Sequence, residues 1–173
     1  MSIAKITVAK TAGFCYGVER AVNMAYSASG KYQRIFTYGP LIHNRNVVED
    51  LEKKGISVLE RIEDVLPGDA VIIRSHGVGR SVYEELEKKQ AVVIDATCPN
   101  VKRIHKLVEE CRRNGQLVLI AGDKNHPEVE GILGYGDENC FVFANCEELA
   151  TLLRKNYEIL KKVLQFFRKP LII

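Results

Sequence analysis

Ala91-Val92-Val93-Ile94-Asp95-Ala96-Thr97-Cys98-Pro99-Asn100-Val101-Lys102 decides how this chain folds. Its first four residues are a short apolar run, rich in β-branched side chains, of the kind that forms a buried strand. Pro99 suits the first turn of a helix, because its missing N–H is one that a helix start leaves unpaired anyway. Val101, Ile104 and Val108 then recur at helical spacing. Cys98 falls between the strand's C-terminal end and the helix N-terminus. In an open α/β sheet ligands bind at such a place, and the helix dipole there favours a thiolate. A small buried residue at a tight turn explains the same placement, since free Cys is among the most buried residue types. The stretch alone leaves both readings open.

Working outward, the same grammar recurs. A strand over Lys5–Ala9 leads into Gly13-Phe14-Cys15-Tyr16-Gly17 and a helix reaching about Ser29. The two glycines bracket a second Cys at a strand-to-helix turn, although their spacing fits neither the dinucleotide nor the P-loop fingerprint. Arg34–Ile42 reads as a strand, followed by His43, the cap Asn44 and a helix to Lys54 closed by Gly55. Ile56–Leu59 and Ala70–Arg74 read as strands, separated by the turn Pro67-Gly68-Asp69. A helix from Arg80 to Lys89 follows Ser75-His76-Gly77-Val78-Gly79, and the helix begun at Pro99 runs to Arg113, closed by Gly115. Strands at Gln116–Ala121 and Cys140–Ala144 come next, then a helix capped by Asn145. Regular alternation of strand and helix gives an α/β class with parallel strands and right-handed crossovers. The boundary near Cys98 divides it into two small parallel-sheet α/β lobes, residues 1–97 and 98–173.

Composition narrows the function classes. A net charge of +3 is too small to argue for nucleic acid, and the basic residues are interleaved with acids, as on a solvated helix face. No apolar run approaches membrane-spanning length, and the N-terminus lacks a signal peptide's apolar core, so a cytoplasmic location is expected. Five cysteines, an odd number, point away from a disulfide framework and toward metal binding, catalysis or core packing.

Position gives the polar residues their meaning. Cys15, His43, His76, Cys98 and His126 each fall just past the C-terminal end of an expected strand. In a parallel sheet those ends lie on one edge, so these groups should converge there. Of the four histidines only His105, inside a helix, stands apart. Thiolates ligate iron–sulfur clusters or zinc. Histidines, helix N-termini and glycine turns donate hydrogen bonds to an anion such as phosphate. Glu128, just beyond His126, is placed to deliver a proton; Glu130 could take that role on spacing alone.

Gly13-Phe14-Cys15-Tyr16-Gly17-Val18, Ile42-His43-Asn44, Ser75-His76-Gly77-Val78, Asp95-Ala96-Thr97-Cys98-Pro99 and His126-Pro127-Glu128-Val129-Glu130-Gly131 together resemble the signature segments of the 4-hydroxy-3-methylbut-2-enyl diphosphate reductase family. The resemblance spans about residues 3 to 150. It implies the first two lobes of a three-lobe reductase architecture around a 4Fe–4S cluster, in the methylerythritol phosphate route to isoprenoids. It implies Cys15 and Cys98 as cluster ligands, His43, His76 and His126 as substrate-binding residues, and Glu128 as the catalytic acid. The implied reaction is a two-electron reductive dehydroxylation giving isopentenyl and dimethylallyl diphosphate, with ferredoxin or flavodoxin as electron donor. A zinc-dependent hydrolase built on Cys15, Cys98 and a histidine, and a non-catalytic diphosphate-binding remnant, are the alternatives.

The family pattern also implies a third cluster cysteine in a lobe that this sequence does not reach. Cys111 shares a helix face with Val101, Ile104 and Val108 and reads as core. Cys140 begins a strand and so belongs to the other edge; Cys146, beside Asn145, is the one stand-in at the right edge. From about residue 156 the tail departs from the pattern. Leu149, Leu152, Leu153, Leu160, Leu164 and Phe167 continue a helical stripe, and the apolar end Phe166–Ile173 is expected to lack a packing partner. A truncated or frameshifted gene, or one part of a split protein, would produce such a tail.

Overall fold

In the computed structural model, which describes residues 6–155 together with 161, 171 and 172, two parallel sheets carry the chain. The first has the order β2-β1-β3-β4, with β1 at Ile35–Tyr38, β2 at Ile56–Leu59, β3 at Ala70–Ile73 and β4 at Val92–Asp95. Its helices are α1 (Tyr16–Ala28), α2 (Arg45–Lys53) and α3 (Arg80–Lys88), with a 3-10 turn at Ile62–Asp64. The second sheet has the order β6-β5-β7, with β5 at Val118–Ala121, β6 at Cys140–Phe143 and β7 at Leu171–Ile172. Helices α4 (Pro99–Arg113), α5 (Pro127–Leu133) and α6 (Cys146–Lys155) accompany it. The α/β class with parallel sheets is as expected.

The first sheet is covered on both faces, which is why β3 is an unbroken apolar run with all of its residues buried. Successive side chains alternate between faces. Ala70 and Ile72 therefore join Ala21, Val22 and Ala25 of α1 and Leu51 of α2, whereas Val71 and Ile73 join Leu86 of α3, Val65 and Val78. Each fully buried Ile or Leu here contributes about 1.5–3 kcal/mol of transfer free energy. A third core, built from Val108 and Cys111 of α4, Val118 and Ile120 of β5 and Val129 and Ile132 of α5, underlies the second sheet.

Register sets the level of the loops. Tyr38 pairs with both Leu59 and Ile73, and Ile73 pairs with Asp95, so the strands of the first sheet all end in line. The strand order makes the β1–β3 boundary a topological switch point: β1 connects outward to β2, and β3 connects in the other direction to β4. Crevices of this kind are where open α/β sheets bind ligands.

Three expectations are corrected. Within Lys5–Ala9, residues 6–9 form no strand, and Ile6 and Val8 are exposed. Their alternation marks a face, but among the described residues no neighbouring strand lies alongside to supply the ladder. At the other end, Leu171–Ile172 does not lack a partner: it pairs in parallel with β5, Val118 against Leu171 and Leu119 against Ile172. The expected strand over Arg34–Ile42 also stops at Tyr38, because Gly39 takes a left-handed φ of 68°. In the helical stripe, Leu149, Leu152 and Leu153 lie on α6, while Leu160, Leu164 and Phe167 lie outside the described residues.

Candidate functional site

Beyond the strand ends the backbone ladder of the first sheet continues through its loops. The Ser75 N–H donates to the Leu41 carbonyl at 3.3 Å, and the Cys98 N–H donates to the Ser75 carbonyl at 2.9 Å. The Ser75 hydroxyl, itself buried, adds a second bond to Leu41 O. These bonds hold His43, His76 and Cys98 at one level: His43 lies two residues past Leu41, His76 one past Ser75, and Cys98 is itself stitched. Asn44 fixes the exit from the first loop by accepting the Val47 N–H at the start of α2. Thr97, fully buried, donates its N–H to Asp95 Oδ1 at 3.0 Å, and Asp95 pairs with Lys102 one turn into α4 at 2.6 Å.

Three imidazoles meet at the switch point. The His43 and His76 ring centroids are 4.6 Å apart, His76 and His126 5.8 Å, and His43 and His126 6.2 Å. His43 follows β1, His76 follows β3, and His126 comes from the second sheet, at the N-cap of α5. His126 Nδ1 accepts the Glu128 N–H at 3.2 Å, so in the neutral ring Nε2 carries the proton and is the donor left for a ligand. His76 is pushed down to about 4, by burial first and then by His43, Arg74 and His126, so it is uncharged at neutral pH. Its buried Nδ1 has no hydrogen-bond partner. An orphaned buried polar atom of this kind costs about 1–3 kcal/mol until something satisfies it.

The two thiols sit at helix starts. Cys15 is the N-cap of α1 and Cys98 the N-cap of α4, and neither side chain makes a capping hydrogen bond. Cys98 packs against Gly17, in the first turn of α1 two residues beyond Cys15: a methyl built on Gly17 would lie 2.6 Å from Cys98 Sγ. The other cysteines differ. Cys111 is buried in the third core, where burial raises its thiol, as expected for packing. Cys140 opens β6 and burial pushes it up to about 11. Cys146 is exposed in the first turn of α6.

A family profile described as LytB protein matches residues 6–166. The chain belongs to the LytB protein family. Among curated LytB relatives, the 4-hydroxy-3-methylbut-2-enyl diphosphate reductase of Caldanaerobacter subterraneus subsp. tengcongensis is 40% identical over 186 residues, covering 97% of this chain and 65% of that protein. The protein of the same name from Trichlorobacter lovleyi is 47% identical over 148 residues, covering 86% of this chain and 52% of that one. A solved structure titled (E)-4-hydroxy-3-methyl-but-2-enyl diphosphate reductase, the terminal enzyme of the non-mevalonate pathway, superposes with a TM-score of 0.77 at 35% identity, covering 97% of this chain and 66% of that chain. This LytB chain thus spans between about half and two thirds of the length of the relatives it matches.

Among the described residues no group of three or more His, Cys, Asp or Glu is spaced to hold a single metal ion. The zinc alternative, which needs Cys15, Cys98 and a histidine around one ion, therefore has no such set here. A cluster places different thiolates on different irons, so cysteines too far apart for one ion can share it. Uncapped thiols at two helix N-termini, with Gly17 leaving room beside Cys98, fit that demand as two of its ligands.

Spacing left Glu128 and Glu130 equivalent, but their surroundings differ. Glu128 lines a cleft with His126, Gly122 and Asp123, whereas the Glu130 charge acts on the Arg74 guanidinium. Arg74 itself went unremarked in the sequence, as did Arg20, whose Nη1 donates to the Thr97 carbonyl at 3.2 Å beside Cys98. Arg20 lies three residues beyond Gly17, on the same helix face, and that spacing was the available signal.

Proposed function

We propose that this chain forms the substrate-binding part, and two ligands of the cluster site, of a 4-hydroxy-3-methylbut-2-enyl diphosphate reductase in the methylerythritol phosphate route. The observation that carries the reading is the convergence of His43, His76 and His126 within 4.6–6.2 Å, contributed by separate loops of the two sheets. Three ring N–H donors at that separation suit the several oxygens of a diphosphate better than a single carboxylate. His126 presents Nε2–H to the anion because its Nδ1 is held by the Glu128 backbone. His76 binds as a neutral donor, so it adds direction without repelling its neighbours.

Cys15 and Cys98 would hold a 4Fe–4S cluster, which when bound supplies electrons one at a time. The reaction takes two electrons and two protons: the allylic C–O bond breaks, one proton leaves with the oxygen as water, and the other ends on carbon. Isopentenyl and dimethylallyl diphosphate are the products. Glu128 delivers the proton to the departing hydroxyl, from a position next to the histidine that binds the diphosphate. Ferredoxin or flavodoxin in the cytoplasm is the electron donor in this proposal.

Anaerobic reconstitution with iron and sulfide tests it. Broad visible charge-transfer absorption and consumption of the allylic diphosphate with reduced flavodoxin support the full reading. Pyrophosphate binding without a cluster or turnover would reduce it to the diphosphate-binding alternative. If neither cluster nor pyrophosphate is bound, the proposal is wrong.

A further inference from the structure

The contact that joins the His76 loop to α5 is made of glycines. A methyl built on Gly134 would press into Gly79 Cα more closely than real Cβ atoms ever approach, and one built on Gly79 would lie 3.0 Å from Gly134 Cα. Neither glycine is needed for its backbone angles. Gly79, the N-cap of α3, has φ −67°, and Gly134, the C-cap of α5, has φ −64°, values open to any residue. Close approach of two backbones is what demands glycine at both positions.

The flanking contacts extend the same seam. Tyr135, directly after Gly134, stacks on His105 with centroids 4.4 Å apart, and His105 Cε1 would lie 2.7 Å from a methyl on Gly77. Gly131, one turn back in α5, faces the Gly77 carbonyl and Val78 Cα at an ordinary 3.5 Å. His76 is adjacent to this turn, and His126 and Glu128 stand at the opposite end of the short helix α5.

We infer that Gly79 and Gly134 are positioning residues: their backbone contact sets the distance at which α5 presents His126 and Glu128 to His76. The diphosphate role of that distance rests on the function proposed above; the distance itself does not. Wedging the seam moves α5 away from the His76 loop and opens the imidazole trio. The contact distances rank the outcomes. Gly134→Ala is the most disruptive, Gly79→Ala intermediate, and Gly131→Ala tolerated.

The test is solution NMR of the full chain with labelled histidine, without ligand, beside pyrophosphate titration of the same variants. In the parent protein, ring-proton cross-peaks should link His76 and His126, whose centroids are 5.8 Å apart. Gly134→Ala should abolish them and move the His76 titration midpoint upward by at least one pH unit, with Gly79→Ala between and Gly131→Ala unchanged. Pyrophosphate affinity should fall at least tenfold for Gly134→Ala and less than twofold for Gly131→Ala. Where Gly134→Ala does not fold, the milder Gly79→Ala carries the comparison. Retained cross-peaks and an unmoved midpoint in a folded Gly79→Ala or Gly134→Ala overturn the inference. Loss of the cross-peaks with no pyrophosphate binding in any variant, the parent included, upholds it and overturns the proposed function instead.

Discussion

Cys98 Sγ lies so close to the helix position of Gly17 that a single added methyl would come within 2.6 Å of it. Gly17 is buried in the first turn of α1 without an unusual φ, so alanine there would ordinarily favour the helix by about 1 kcal/mol. Gly17→Ala should therefore separate two properties. Its denaturant stability should change by less than about 1 kcal/mol, the helix gain offsetting the local displacement. Its iron uptake on anaerobic reconstitution should fall to well under half that of the parent. Iron and sulfide assays on the two proteins side by side check this, and equal iron contents would mean that Cys98 needs no such cradle.

His126 has two tasks that different replacements separate. Its Nδ1 caps the Glu128 N–H, and its Nε2 is the ring nitrogen left for a ligand. Asn is among the best N-cap residues, so His126→Asn should keep the cap while losing the reach of the imidazole. A hydrogen bond to a charged group is worth about 1.5–3 kcal/mol, so pyrophosphate affinity should drop roughly 10- to 100-fold. Melting temperature should hold for Asn and fall for His126→Ala, which loses the cap as well, about 1 kcal/mol. Calorimetric titration and thermal melts of both variants decide it. Similar affinity for parent and Asn variant would remove His126 from the anion site.

Much of this arrangement was legible in the sequence, and the reason lies in parallel-sheet geometry. Once strands are recognised, their C-terminal ends must lie together, so the approach of His43 to His76 follows from Tyr38 and Ile73 pairing in register. The closeness of His126 did not follow in the same way, because it comes from the other sheet. That contact depends on Gly79 meeting Gly134, and a glycine chosen for close approach looks, in sequence, like one chosen for a turn. The Lys5–Ala9 expectation failed for a related reason: alternation specifies a face, and the strand needs a neighbour that local sequence does not encode. The pairing of Leu171–Ile172 with β5 is the converse, a non-local ladder that terminal apolar residues alone did not announce.

The central strand gives a stability prediction independent of the site. Ile72 is fully buried between β3's neighbours and the α1–α2 layer, touching the cluster of Ala21, Ala25, Leu51 and Ile56. Close-packed parallel-sheet cores relax little around a deletion. Ile72→Ala should cost about 2–5 kcal/mol in urea unfolding without changing the transition's slope. A loss below about 1 kcal/mol would mean that the layer collapses onto the gap.

Acid should destabilise the fold well above the range in which carboxylates titrate. His105 and His76 are both held near 4 against 6.5 for a free imidazole. For His105, burial is the main cause; Lys102 adds to it and Asp95 opposes it, while Tyr135 covers one ring face. The folded state keeps these rings neutral, whereas the unfolded chain takes up protons once the pH drops below about 6.5. Their contribution is therefore complete above 6.5 and is lost as the pH falls toward 4. For His105, 4% exposed, the loss is on the order of 2–3 kcal/mol; half-buried His76 adds less because solvent screens it. Urea midpoints measured between pH 7.5 and pH 4.5 should fall steadily below about 6.5. His105→Leu, which removes the orphaned Nε2 along with the proton site, should flatten that slope by more than half. A midpoint that stays level in the parent down to pH 5 would show that neither imidazole is held neutral by the fold.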